Sequence, residues 1–382
     1  MRYQRYNRRK FATHLIGGVF TMGISPSLLA YNHTILKDDI DWYDLKEIGV
    51  EGKGWKKTKR YFDRFPSKAE GVVREPVWNL SRHSAGMCAR FTTNSTDIYV
   101  RYKLHHEDLA MPHMPATGVS GLDLYANDNQ GIDRWVSVIL PNKQNMDSSI
   151  ARDLAPGLRQ YTLYLPLYNG VDNLEVGIMK GHSFNPLNPR QEKPILFYGT
   201  SIMQGACASR PGLAIPAILG RRLKRPTINL GFSGNGIMEP EIASLLAEQD
   251  PCVFVIDCLP NMDETSVSER TIPFVKKLRE AHKKTPILLV EDRSFTNTIF
   301  FPKIKTHHQK SRIALKNAYR ELSNAGIENL FYLEGENLLG KDGEGATDGS
   351  HPNDLGMIRY ADSYEPVSYT QLRAHETPEH LD

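Results

Sequence analysis

Hydrophobic and polar residues follow two different patterns along the chain, and the pattern changes near residue 190. Before that point, short segments alternate apolar and polar positions, as in residues 97–102 (DIYVRY), with turn-forming residues between them. Alternation with a period of two indicates half-buried strands. The expected strands are residues 87–92, 97–102, 121–125, 134–139, 160–165 and 173–178. Without a convincing helix among them, they predict a β-sandwich or jelly-roll domain over residues 40–182.

Beyond residue 190, strands and helices are expected to alternate. Continuous apolar runs such as residues 195–198 (ILFY) predict buried parallel strands, because they lack the alternation of half-exposed ones. The expected strands are 195–198, 227–230, 252–257, 287–290 and 329–333, and the expected helices are 213–223, 239–249, 266–282 and 307–325. This order predicts an α/β domain over residues 190–366, with a flavodoxin-like, doubly wound, five-stranded parallel sheet. Residues 181–193, rich in Pro and Asn, form the expected linker.

The two termini have patterns of their own. The first ten residues contain four arginines and a lysine, and a weakly apolar, glycine-containing stretch follows to residue 30. Residues 1–30 therefore predict an export signal, with a twin-arginine-like run at 7–11 (NRRKF), and a periplasmic or secreted protein without stable membrane insertion after signal removal. A retained N-terminal anchor is the alternative. A last helix is expected to begin over residues 356–364. Residues 367–382 lack an apolar period and are similar to translated sequencing-library adapter, which predicts a non-native tail; a genuine polar tail is the alternative.

Composition and charge narrow the classes of ligand. The net charge of +3 is too small to indicate a nucleic-acid partner. The basic segment 53–64 is expected to be a solvated or carbohydrate-facing surface. The four cysteines lack metal-ligand spacing, and His105, His106 and His113 are interpreted as loop histidines rather than metal ligands. We therefore expect no metal and no cofactor, while the oligomeric state stays open.

Polar residues follow the predicted parallel strands at their carboxyl ends, where such sheets form their ligand crevices. Ser201 follows the first strand, Gly234 lies in a glycine-rich loop after the second, and Asn261 follows the third. Asp348 and His351 come together after the fifth strand. A serine hydroxyl needs a base, and an acid on the other nitrogen of a histidine base fixes its tautomer. A lone serine at this place would more often be a helix cap, but the downstream residues favour a Ser201–His351–Asp348 triad. Backbone N–H groups of Ser201 and Gly234 and the Asn261 side chain are the predicted oxyanion donors.

These blocks resemble those of the SGNH (GDSL-type) hydrolases over roughly residues 194–364. The resemblance implies the same roles for these five residues: serine nucleophile, histidine base, aspartate partner, and glycine and asparagine oxyanion donors. Two positions depart from the family pattern, since Thr200 stands where the family has Asp and Leu259 where it has Gly. Residues 121–125 (GLDLY) resemble the GxDLY-type β-domain that precedes such hydrolases in secreted bacterial esterases.

Together these observations predict an exported serine esterase that hydrolyses acetyl or other small acyl esters, on carbohydrate, through an acyl-enzyme. A lipase acting on lipid esters is one alternative, and a catalytically inactive glycan-binding module is another. The polar segment 81–87 (SRHSAGM) is too small and flexible to be an ordinary strand, and it predicts that the β-domain helps to build the rim of the active site.

Overall fold

The computed structural model describes residues 39–375, and side chains are described for residues 39–365. The predicted export signal at residues 1–30 and the end of the predicted tail, residues 376–382, lie outside the described residues. Between residues 39 and 375, no helix combines the length and the apolar character needed to span a membrane.

Two antiparallel sheets form the N-terminal part of the described chain. Their strands are β1 (Ile40–Asp44), β2 (Cys88–Thr93), β3 (Ile98–Leu104), β4 (Asp123–Asn127), β5 (Asp133–Val138), β6 (Asn145–Ala151), β7 (Arg159–Tyr164), β8 (Val171–Met179) and β9 (Phe184–Pro186). The strand orders are β1-β8-β3-β6 and β5-β4-β7-β2-β9. Three short helices, α1 (Leu45–Ile48), α2 (Glu75–Ser81) and α3 (Ala116–Val119), lie between strands.

The two sheets share one hydrophobic core. Val100 and Tyr102 of β3 and Leu163 of β7 belong to the same cluster of buried side chains, so the sheets pack face to face. This confirms the predicted β-domain. Strands β1, β6 and β9 were not expected. The sequence of β6 (NMDSSIA) is mostly polar, and β9 lies in the expected linker, where it pairs with β2 and forms the edge of that sheet.

The second half contains the predicted parallel sheet. Its strands are β10 (Ile195–Gly199), β11 (Thr227–Gly231), β12 (Val253–Asp257), β13 (Ile287–Val290) and β14 (Leu330–Leu333). They lie in the order β11-β10-β12-β13-β14, and every neighbouring pair is parallel. This confirms the flavodoxin-like sheet.

Six helices accompany this sheet. They are α4 (Ser201–Gln204), α5 (Ile215–Arg222), α6 (Pro240–Leu246), α7 (Glu264–Ala281), α8 (Pro302–Asn324) and α9 (Asp354–His375). Helix α8 begins earlier than the predicted residue 307, because Pro302 stands in the first turn, where its missing N–H costs nothing. Helix α9 continues past Pro366. A proline removes one intrahelical hydrogen bond, but a helix can continue beyond it.

Successive residues of β10 point to opposite faces of the sheet. Leu196 and Tyr198 belong to the core under α6, α7 and α8, whereas Ile195 and Phe197 belong to the core under α5 and α9. Helices therefore cover both faces, which explains why the strands are continuously apolar. Because β10 lies between β11 and β12, the loops that follow these three strands are neighbours at one edge of the sheet.

Side chains from the β-domain enter both of these cores. Phe65 and Trp78 join the cluster on one face of the parallel sheet, and Val119 and Leu167 join the cluster on the other. The described residues from Ile40 onward accordingly belong to one compact unit.

The end of the basic segment 53–64 is buried, whereas a solvated surface was expected for the whole segment. Phe62, Asp63 and Arg64 at its end are fully buried. Arg64 donates to four main-chain carbonyl oxygens, those of Leu80 (2.7 Å), His83 (3.1 Å), Asn229 (3.2 Å) and Gly231 (2.6 Å). A guanidinium can be buried when its N–H groups all find hydrogen-bond acceptors. The charge pattern of the sequence does not show where such acceptor carbonyls will lie, so it did not predict this burial.

Candidate active site

Ser201 follows strand β10 and Thr200, at the first position of helix α4. Thr200 caps this short helix, because its hydroxyl accepts a hydrogen bond from the N–H of Ile202 at 3.3 Å. Threonine and aspartate can both act as N-caps, so the family departure at Thr200 preserves the cap. Ser201 itself is only 6% exposed, which places its hydroxyl in a largely enclosed position at the carboxyl edge of the sheet.

The structure brings Ser201, His351 and Asp348 into one hydrogen-bonded chain. The Ser201 Oγ lies 2.9 Å from the His351 Nε2, and the His351 Nδ1 lies 2.7 Å from the Asp348 Oδ2. With a proton on Nδ1, the imidazole donates to the carboxylate and offers Nε2 as the acceptor for the serine hydroxyl. This arrangement can transfer the hydroxyl proton when the serine attacks an electrophile.

Local hydrogen bonds hold the carboxylate in this geometry. The Asp348 Oδ1 accepts from the backbone N–H groups of Ser350 (3.0 Å) and His351 (2.7 Å). Partial burial acts to raise the pKa of Asp348, but these N–H groups and the His351 ring stabilise the carboxylate more strongly and lower the pKa to about 2. Asp348 is therefore ionised at neutral pH.

The loop after β11 approaches the serine closely. Gly231 lies beside Gly199 in the sheet, and a Cβ on Gly231 would lie 2.1 Å from the backbone nitrogen of Gln204. Gly234, further along, has a φ of +68° and faces open space, since an added Cβ would meet no atom within 4 Å. Glycine is needed at the first position for close packing and at the second for its left-handed backbone. Gly234 is an exposed residue, which suits contact with a ligand.

Asn261 lies in the loop after β12, which is on the opposite side of β10 from β11. With its amide oxygen turned towards the glycine-rich loop, it accepts from the N–H groups of Asn235 (3.0 Å) and Gly236 (3.2 Å). This orientation leaves the amide NH₂ as the group that can donate to a ligand. The structure thus places Gly234 and Asn261 at the same sheet edge as Ser201. Leu259, the second departure from the family, is a buried core residue.

Sequence reasoning missed several side chains around these loops. The Tyr168 hydroxyl donates to the Ser201 carbonyl at 3.2 Å, and the Gln204 amide binds His83, Leu167 and Ser233. Segment 81–87, which contains His83, was expected near the site, but nothing in the local sequence distinguishes Tyr168.

The loop histidines differ from one another in position. The ring of His113 lies 5.7 Å from that of His351, which makes it a neighbour of the predicted triad, whereas His105 contacts Asp172 at 3.2 Å. Among the described residues, no group of three or more His, Cys, Asp or Glu is arranged to hold a metal ion. The four cysteines all have free thiols.

Fold and site together describe a flavodoxin-like α/β domain with a Ser–His–Asp chain at the carboxyl edge of its parallel sheet. Comparison with protein families agrees. Residues 192–368 match the model of the GDSL-like lipase/acylhydrolase family, and residues 40–184 match the N-terminal domain of SGNH-hydrolase-type esterases. No curated protein matches the chain significantly.

Solved structures show the same architecture. A GDSL-like lipase from Bacteroides ovatus is 32% identical, with a TM-score of 0.84, over 87% of this chain and 98% of that one. A salicylyl-acyltransferase from a tetracycline biosynthetic pathway is 18% identical, with a TM-score of 0.69, over 87% and 98%. An acetyl xylan esterase from the rumen bacterium Butyrivibrio proteoclasticus is 11% identical, with a TM-score of 0.55, over 88% and 100%. The chain belongs to the GDSL-like lipase/acylhydrolase family and is an SGNH-type esterase.

Proposed function

We propose that this protein is an exported serine esterase that removes acetyl or other small acyl groups from carbohydrate. The observation that carries the proposal is the hydrogen-bonded chain from the Ser201 hydroxyl through His351 to Asp348. Export is proposed from the pattern of residues 1–30.

In the proposed acylation step, the Ser201 Oγ attacks the ester carbonyl carbon while the His351 Nε2 takes the hydroxyl proton. The carbonyl oxygen becomes an oxyanion, which the N–H groups of Ser201 and Gly234 and the NH₂ of Asn261 stabilise. Each such donor contributes on the order of 3–4 kcal/mol to transition-state stabilisation. The bond to the alcohol then breaks, and the leaving sugar oxygen receives the proton from His351.

In the proposed deacylation step, His351 takes a proton from water as the water oxygen attacks the acyl carbon of the acyl-enzyme. The second oxyanion collapses, the bond to the Ser201 Oγ breaks, and His351 returns its proton to that oxygen. The products are the free carboxylic acid and the unmodified enzyme. Asp348 stabilises the imidazolium in both steps.

A carbohydrate substrate is proposed from two observations. The acetyl xylan esterase of similar fold acts, by its name, on an acetylated polysaccharide. In addition, the β-domain lies beside the candidate site. This domain has a partly exposed aromatic ring, that of Trp135 on β5, which is 50% exposed. Aromatic faces of this kind can pack against sugar rings.

A second candidate substrate, a lipid ester, is favoured by one surface feature. Ile299, Phe300 and Phe301 are 81%, 75% and 46% exposed. They follow Thr296, whose N–H donates to the carbonyl of Gly349 in the loop that carries His351, at 2.9 Å. Exposed apolar side chains at this place could contact long acyl chains.

The test is hydrolysis of p-nitrophenyl acetate, butyrate and palmitate at pH 7–8, together with acetate release from an acetylated xylan. We expect activity that falls with acyl-chain length and that Ser201→Ala lowers by about 10⁴-fold or more. Efficient palmitate hydrolysis without acetate release would favour the lipid substrate. A folded protein without any Ser201-dependent activity would contradict the proposal and favour a glycan-binding module.

A further inference from the structure

The glycine-rich loop after β11 is held by a side chain from helix α4. Gln204 is fully buried, and its amide oxygen accepts from the N–H of Ser233 at 3.1 Å. Its amide nitrogen donates to the carbonyl of Leu167 at 3.1 Å. These two bonds fix the amide orientation. If the oxygen and nitrogen were exchanged, the NH₂ group would face the N–H of Ser233 and the oxygen would face the carbonyl of Leu167, and neither pair can form a hydrogen bond. Ser233 immediately precedes Gly234, so Gln204 fixes the backbone beside the proposed oxyanion donor.

The second proton of the Gln204 amide is bound by the β-domain. The His83 Nδ1 lies 3.0 Å from the Gln204 nitrogen and must therefore act as an acceptor, with the ring proton on Nε2. Burial and, next, the positive charge of Arg64 lower the pKa of His83 well below its usual value. The neutral ring keeps Nδ1 available as an acceptor at neutral pH.

The backbone of His83 is tied to the same loop. Arg64 donates to the carbonyl of His83 at 3.1 Å and to the carbonyl of Gly231, where the loop begins, at 2.6 Å. Both the main chain and the ring of His83 are thus connected to residues around the loop, through Arg64 on one side and Gln204 on the other.

We propose that His83 is a positioning residue for ester hydrolysis: its Nδ1 orients Gln204, and Gln204 holds the Ser233–Gly234 backbone in the geometry that binds the oxyanion. The inference rests on the proposed function of Gly234. It gives the β-domain a part in the chemistry besides any contact with the substrate.

The expected effect of losing this acceptor is on the transition state. A displaced loop weakens hydrogen bonds to the oxyanion, which exists only after the serine has attacked, and it leaves ground-state binding largely intact. The value of kcat should therefore fall while KM changes little.

The experiment compares His83→Leu with His83→Asn in the full-length protein. Leucine lacks the acceptor, whereas the asparagine Oδ1 occupies about the position of the histidine Nδ1 and can accept from Gln204. We expect His83→Leu to lower kcat on p-nitrophenyl acetate about 10- to 100-fold and His83→Asn to restore most of it. His282→Leu, which removes a histidine bonded to the distant carbonyl of Ala247 at 3.0 Å, is the matched control and should keep the wild-type kcat.

A thionoester provides the second readout. Sulfur accepts hydrogen bonds weakly, so the preference of the wild type for the oxygen ester over the matching thionoester reports the oxyanion donors. We expect this preference to fall in His83→Leu about as much as kcat, an effect that a loss of folded protein alone would not produce. If His83→Leu fails to fold by circular dichroism, His83→Gln, whose amide reaches the position of Nε2 instead, should show the same losses.

The outcomes separate this inference from the proposed function. Wild-type activity that does not depend on Ser201 would overturn both. Ser201-dependent activity with unchanged kcat and unchanged oxygen-to-sulfur preference in a folded His83→Leu or His83→Gln variant would overturn the role of His83 alone. An asparagine variant no better than the leucine variant would also overturn it.

Discussion

The functional groups of the two loops that meet at Ser201 are held in different ways. The Asp348 carboxylate is held by its own loop, through bonds from the N–H groups of Ser350 and His351, and that side chain is 42% exposed. The backbone of this loop also binds residues outside it, since Arg293 donates to the carbonyl of Ser350 at 3.3 Å and Thr296 to that of Gly349 at 2.9 Å. The loop that carries Gly234 is stabilised from outside, by Gln204 of the hydrolase domain and Arg64 of the β-domain, both of which are buried.

This difference predicts which substitutions lower activity alone and which also lower the stability of the fold. Changes at the Asp348 carboxylate should alter the chemistry and leave the fold intact, because it is partly exposed and its hydrogen bonds are to residues of its own loop. Changes in the supports of the glycine-rich loop should reduce stability as well, because buried polar groups would lose their partners.

Of the substitutions that test this comparison, Asp348→Asn should have the largest effect on activity. The asparagine oxygen can still accept the two backbone N–H bonds, but its NH₂ group facing the His351 Nδ1 favours the wrong imidazole tautomer. We expect kcat/KM on p-nitrophenyl acetate to fall on the order of 10²- to 10⁴-fold, with an unchanged melting temperature. Activity within threefold of wild type would show that the carboxylate does not support the base.

Arg64→Met should have the largest effect on stability. Burial lowers the pKa of Arg64 to about 9, so the guanidinium is still charged at neutral pH, and its loss leaves four carbonyl acceptors without their donor. We expect the free energy of unfolding in urea to fall by about 3–5 kcal/mol. Lys193→Met, which removes an exposed ion pair with Asp250 at 2.7 Å, is the control and should cost less than about 1 kcal/mol. Equal effects of the two substitutions would contradict the comparison.

Asp257→Asn should have a smaller effect that depends on pH. Burial raises the pKa of Asp257, at the end of β12, to about 7, and the Tyr364 hydroxyl donates to its carboxyl oxygen at 2.7 Å. The ordinary pKa is 3.8, so between about pH 4 and pH 7 the folded state holds a proton that the unfolded state has lost. The stability of the wild type should therefore decrease as pH rises through this window, by about 2–4 kcal/mol in all.

Urea unfolding at pH 5 and pH 8 measures this contribution. Asparagine does not titrate, so we expect the variant to lose less stability than the wild type between the two pH values. The same decrease in both proteins would show that Asp257 is ionised in the folded state throughout. The exposed Asp348, with its pKa of about 2, should make no contribution in this window.

Sequence reasoning predicted most of the fold and the Asp348–His351 motif for the same reason. Parallel strands such as β10 and β13 are continuous apolar runs, and an aspartate three residues before a histidine is a local motif, so both are visible in a short window of sequence. Gln204, His83 and Tyr168 could not be assigned because their partners lie in distant segments, and strand β6 is defined by its pairing with β3 rather than by its own polar sequence.

The burial of Arg64 was missed for a related reason. In sequence it belongs to a basic segment that is typical of a solvated surface, and only the fold brings the carbonyls of β11 to its guanidinium. Every residue type has a main-chain carbonyl, so the residues whose carbonyls bind Arg64 cannot be recognised from the sequence.

The most direct test of the central claim, that these two loops make Ser201 the nucleophile, is covalent labelling with a fluorophosphonate followed by peptide mass spectrometry. The phosphonyl group bonds to an activated serine oxygen with loss of fluoride, and the adduct mimics the tetrahedral intermediate of ester hydrolysis. We expect one adduct, on the peptide that contains Ser201, with labelling abolished in Ser201→Ala and strongly slowed in His351→Ala. An adduct on another residue, or equal labelling of the Ser201→Ala variant, would contradict the account.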